Sequence, residues 1–94
     1  MRIKMQKFGI LLNSRPAARE ASLRLVQMIN GAGSKDGVVI DFEGVEILTP
    51  SYADELLRSL RDKYGSDKVH VENANTEAVR TTLDAVEKLQ FIQA

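Results

Sequence analysis

Two hydroxyls, Thr49 and Ser51, flank Pro50 within residues 38–60, VVIDFEGVEILTPSYADELLRSL. A hydroxyl before a proline is the usual material of a helix start. The free N–H groups of such a start, with the positive end of the helix dipole, favour an anion or a phosphate. If Thr49 is the N-cap, Pro50 takes the first helical position; if Ser51 is, Asp54 stands three residues on, where a capping box prefers Glu or Gln. Thr49 is the better cap. On a helical wheel Ser51 then lies near Glu55 and Arg58 and faces water. Asp41 is the second chemically placed group, because open α/β sheets put their sites outside strand ends; its plainer reading is a turn-capping residue. His70, alone in an alternating run, reads as a solvated or hydrogen-bonded structural residue.

These side chains need elements to hold them. Residues 38–42, Val-Val-Ile-Asp-Phe, are nearly continuous β-branched and aromatic, the pattern of a strand covered on both faces. Gly44 permits a turn, and Ile47-Leu48 leads into the helix. That helix places Ala53, Leu56, Leu57, Leu60 and Tyr64 on one face, and Asp54, Glu55, Arg58, Arg61 and Asp62 on the other.

Upstream, residues 2–8 alternate, with Ile3 and Met5 on one side, and predict a half-exposed strand at a sheet edge. Ser14 can cap a first helix with Pro16 in its first turn. This helix runs to about Asn30, with Ala18, Ala21, Leu25, Met28 and Ile29 inward, Val26 beside them, and Arg19, Glu20 and Arg24 outward. It stops at Gly31-Ala32-Gly33-Ser34, and Lys35-Asp36-Gly37 makes the turn. These glycines follow a helix and lack a Gly-Lys-Ser/Thr motif, so they are not a phosphate loop.

Downstream, residues 68–72 alternate as a strand with Val69 and Val71 inward and His70 outward. Asn75 is the expected cap of a last helix that buries Val79, Leu83 and Val86, with Thr82 beside them, and runs to about Leu89. Residues 90–94, with Phe91 and Ile92, extend the core as a short strand or pack under the sheet. Strands alternating with helices predict one α/β domain over residues 1–94, a mixed but mainly parallel sheet of about four strands flanked by about three helices.

Composition excludes several function classes. The 94 residues carry 13 basic and 13 acidic side chains, so no overall field points to nucleic acid or an acidic membrane. No apolar run reaches membrane-spanning length and the start is too polar for a signal peptide, which places the protein in the cytoplasm. With no cysteine and one histidine there is no disulfide framework, no thiol nucleophile and no ordinary zinc site. No metal, cofactor or catalytic residue is expected.

The run IDFEGVEILTPSYADELL resembles the signature of STAS domains, the fold of bacterial anti-sigma-factor antagonists, in which a strand, an Asp-Ser-Ser-Gly turn and a helix carry a regulatory serine. It is more similar still to the STAS-like domains of unknown function often found with histidine-kinase-type ATPases. Asp41, Gly44 and Val45 fall where the wider family has its strand-end Asp and its Gly-Val. Ser51 falls on the serine that a partner kinase phosphorylates. Here Thr49-Pro50-Ser51-Tyr52 replaces Asp-Ser-Ser-Gly, so the acidic residue and the glycine are missing. Asn13-Ser14-Arg15 also resembles the STAS-like group, and Arg15 is placed to reach an anion if the two helix starts lie side by side. The order of elements agrees over about residues 13–92.

The resemblance implies a non-enzymatic regulatory module that binds a histidine-kinase-type ATPase or anti-sigma-like kinase. Its contact surface would comprise Ser51, Tyr52, Asp54, Glu55 and Arg58, with Ser51 or Thr49 as the phosphorylated residue. One alternative is an unregulated scaffold, in which Thr49 and Ser51 belong only to a helix start and Asp54, Arg58 and Asp62 form a solvated i,i+4 ladder. The other is a receiver-like phosphoacceptor at Asp41, but neither Ile10-Leu11-Leu12 nor Val69-His70-Val71 supplies the acidic pair or late lysine a receiver needs.

Overall fold

The computed structural model describes residues 1–33 and 37–92, at 91 and 92 the backbone alone. Strands β1 (Arg2–Lys4), β3 (Val38–Asp41) and β5 (Val69–Glu72) form a parallel sheet in the order β1-β3-β5, and β2 (Leu11–Leu12) pairs in parallel with β4 (Ile47–Leu48). Helices α1 (Arg15–Ala32), α2 (Pro50–Tyr64) and α3 (Glu77–Ile92) complete the fold among the described residues. The architecture is α/β with parallel strands, as its alternating pattern predicts.

Strand alternation fixes what the sheet buries. Register aligns Ile3 with Ile40 and Val71, and Val38 with Val69, so one face supplies the core. The next row is Arg2, Val39 and His70, of which Arg2 and His70 are exposed. β3 is therefore covered on one face, not on both. Its run of apolar residues misled because Val39 is only half-buried and Asp41, also on the outer face, is buried by polar partners.

The edge strand is shorter than its alternation suggested: after Lys4 the chain turns into a 3₁₀ helix, Met5–Phe8, which still buries Met5. α1 begins at Ser14, whose hydroxyl accepts from the Ala17 N–H at 3.3 Å, with Pro16 in the first turn. It passes Asn30 and ends at Gly33, in the left-handed conformation that favours glycine. Ala18, Ala21, Leu25 and Ile29 are its buried stripe, joined by Ser22, which donates to the Ala18 carbonyl. Ser34, Lys35 and Asp36, expected in the following turn, lie outside the described residues.

α3 is capped by Thr76 rather than Asn75: the Thr76 hydroxyl accepts from the Val79 N–H at 3.1 Å. The helix continues through Ile92, so the segment read as a possible strand is helical that far. The side chains of Phe91 and Ile92 and all of Gln93 and Ala94 lie outside the described residues.

Candidate functional site

Thr49 ends the apolar pair Ile47-Leu48 in extended conformation, and its hydroxyl accepts from the Tyr52 N–H at 3.4 Å. That leaves Pro50 at the first helical position, where its missing N–H costs nothing. The next residue, Ser51, is exposed. Of the two hydroxyls expected to carry a modification, Thr49 is half-buried and engaged as the cap, and Ser51 faces solvent.

The starts of α1 and α2 lie side by side. Arg15 Nη1 is 2.9 Å from Asp54 Oδ2 and 3.7 Å from Glu55, and Arg19 Nη2 is 3.5 Å from Glu55. From within α2, Arg58 Nη2 meets the other Asp54 oxygen at 2.9 Å. Gln90 of α3 adds its amide to the Asp54 carboxylate and carbonyl, both at 3.2 Å. Three helices therefore converge on one carboxylate. Burial alone would raise the Asp54 pKa, but the hydrogen bonds from Arg58, Arg15 and Gln90 outweigh it and hold the group below its ordinary range.

Five residues expected on the contact surface thus have different fates. Ser51 and Arg58 are exposed, and Asp54 and Glu55 sit half-buried beneath arginines. Tyr52 is not on the surface at all: it is 2% exposed, and burial pushes its phenol up to about 12. Arg61, expected on the water-facing side, instead pairs with Glu87 and Gln90 of α3. Arg15, expected to contact an anion if the two helix starts adjoin, meets the carboxylates of Asp54 and Glu55. Sequence reasoning missed Arg19 and Gln90 as members of this cluster. Arg19 carries a signal, standing four residues after Arg15 on one helix face; Gln90 carries none, because it lies beyond the expected end of its helix.

Asp41 is 1% exposed and fully engaged: Oδ1 accepts from the Glu43 N–H and the Asn73 amide, each at 2.9 Å, and Oδ2 from Arg2 at 3.0 Å. Arg2 also reaches Glu72 at 2.9 Å, so the carboxylate ties β1, β3 and the end of β5 together. The Glu43 N–H, then Asn73 and Arg2, hold its pKa below the ordinary range against the opposing effect of burial. This is the turn-capping role, and a carboxylate so enclosed is poorly placed as a receiver-like phosphoacceptor. His70 is exposed on β5.

Among the described residues no group of three or more His, Cys, Asp or Glu side chains could hold a metal, and no helix is long and apolar enough to cross a membrane.

Three helices with parallel strands, among the described residues, are consistent with a STAS-like fold. The family model described as a STAS-like domain of unknown function matches residues 25–78, more than half of the chain, and the chain belongs to that family. The match takes in Asp41, Ser51, Asp54 and Arg58, but neither Arg15 nor Gln90. No curated protein and no solved structure matches significantly.

Proposed function

We propose that this domain is a non-enzymatic regulatory module that binds a protein partner, an ATPase or kinase of the histidine-kinase or anti-sigma type, through the start of α2. Phosphorylation of Ser51 is the switch in this reading. The observation that carries it is the environment of Ser51: an exposed hydroxyl in the first turn of α2, lining an open depression with Arg15 and Arg58, inside the segment that the family model matches. Membership of the family supports a regulatory role in general, and the particular partner and switch are the proposed part.

The test is affinity capture from the native cell with mass spectrometry, reporting bound proteins together with the modification state of Thr49 and Ser51. A bound ATPase that is lost when Ser51→Trp blocks the surface, together with phosphate on Ser51, is the expected result. Capture that Ser51→Trp leaves unchanged moves the interface elsewhere.

A further inference from the structure

We infer that the partner's contacting segment is acidic and amphipathic, docking on the arginines at the starts of α1 and α2 with an apolar side chain against Leu89. This deepens, and rests on, the reading of that face as the partner surface.

The charges there are stacked in two layers. Side chains of Arg15, Arg19 and Arg58 are 43%, 64% and 44% exposed, and the carboxylates they meet, Asp54 and Glu55, are 18% and 17% exposed. The face presented to solvent is thus guanidinium over half-buried carboxylate, with the exposed Asp62 near Arg58, although the whole chain is neutral. The carboxylates hold the arginines in place, so a partner meets positioned forks rather than mobile side chains. Each guanidinium has five N–H donors in a planar array that suits carboxylates. Pre-positioning lowers the ordering cost of recognition.

The apolar half of the argument is Leu89 of α3, 53% exposed beside Arg15, Pro50 and Ser51 at the rim of a depression of about 240 Å³ with Val86 in its wall. A glutamate- or aspartate-bearing helix with one apolar side chain matches both features. A nucleic acid matches the arginines alone: among the described residues lining the depression none is aromatic to stack a base, and Leu89 and Val86 offer it only aliphatic surface.

The experiment titrates the full chain with two short amphipathic helical peptides, identical except that one carries glutamates and the other lysines around a single leucine. A thymidine oligonucleotide is the third probe. Amide chemical shifts report where each binds. The expected result is binding of the glutamate peptide at residues 15–19, 51–58 and 89, weakened by salt and reduced roughly three- to tenfold by Arg19→Gln with Arg58→Gln. Failure of the glutamate peptide to bind there overturns the inference, as does equal binding by the oligonucleotide. If the lysine peptide binds these residues instead, the charge assignment fails and the face remains a docking surface. If the peptides bind only at the exposed Leu11 and Ile47 of the β2-β4 pair and the adjoining Ile10, the reading of the face fails as well.

Discussion

Arg15, the first residue of α1, and Asp54, in α2, meet at 2.9 Å across 39 positions of sequence, and this ion pair joins the two helix starts beside the depression that Ser51 lines. The pair is partly exposed, so its worth is modest and its geometry matters more than its energy. A double-mutant cycle with Arg15→Ala and Asp54→Ala, read by urea unfolding, should give a coupling of about 0.5–1 kcal/mol. A coupling of zero would mean that helix packing alone sets the alignment.

Acid should weaken the fold through two carboxylates. Asp41 and Asp54 both titrate below their ordinary 3.8 in the folded chain. In that window the unfolded chain binds more protons, so stability rises with pH; the contribution is complete above the ordinary value and is lost as pH falls through the lowered ones. Asp41→Asn with Asp54→Asn should lower Tm at neutral pH and flatten its dependence on pH below about 4. An unchanged slope would assign acid unfolding to other groups.

Buried and capping residues of α2 should separate by size of effect. Leu57 is completely buried, and Leu57→Ala should cost about 2–5 kcal/mol. Thr49→Ala removes only the cap and should cost about 0.5–2 kcal/mol, with Thr49→Ser recovering most of it. Failure of serine to recover would show that the threonine methyl, rather than the hydroxyl, matters.

The α2 start was legible because its signals are local: a hydroxyl, a proline, then an apolar stripe of period 3.6. The two-residue strands β2 and β4 were not, since Leu11-Leu12 and Ile47-Leu48 are too short for any period and exist by pairing with each other. Tyr52 was expected on the contact surface beside Ser51, but it stands four positions before Leu56 on the face of α2 that packs inward. The Asp54 cluster was half legible. Its Arg58 partner is an i,i+4 neighbour, whereas Arg15 and Gln90 arrive through tertiary packing that no local pattern encodes.

Gly44 closes the turn after β3 at φ +85, where the Val45 N–H bonds to the Phe42 carbonyl at 3.0 Å. A Cβ there would fall 2.6 Å from the Gln6 side chain, whose flexible end can move, so backbone strain dominates. Gly44→Ala should therefore destabilise by about 1 kcal/mol or more, and Gly44→Asn by less, because asparagine tolerates positive φ. Equal losses would point to the contact with Gln6 instead.

Ser51 is the residue at which stability and binding should part. A phosphate there adds about 1.5 to 2 negative charges in the first turn of α2, where free N–H groups and the helix dipole favour it and Asp54 and Glu55 repel it. These influences oppose, and the side chain is exposed, so folding should change little. Ser51→Asp and Ser51→Ala should melt within about 3 °C of the parent chain. At an interface the balance differs, since the added charge must be paired or stripped of water as the partner docks. Affinity should therefore separate the two variants by about tenfold, equivalent to roughly 1.4 kcal/mol. The measurement is partner affinity and Tm for both variants, alongside direct phosphorylation of the parent chain by the partner kinase. If Ser51→Asp and Ser51→Ala bind equally and the kinase leaves Ser51 unmodified, there is no switch at this position, and Ser51 is an ordinary first-turn residue of a helix capped by Thr49.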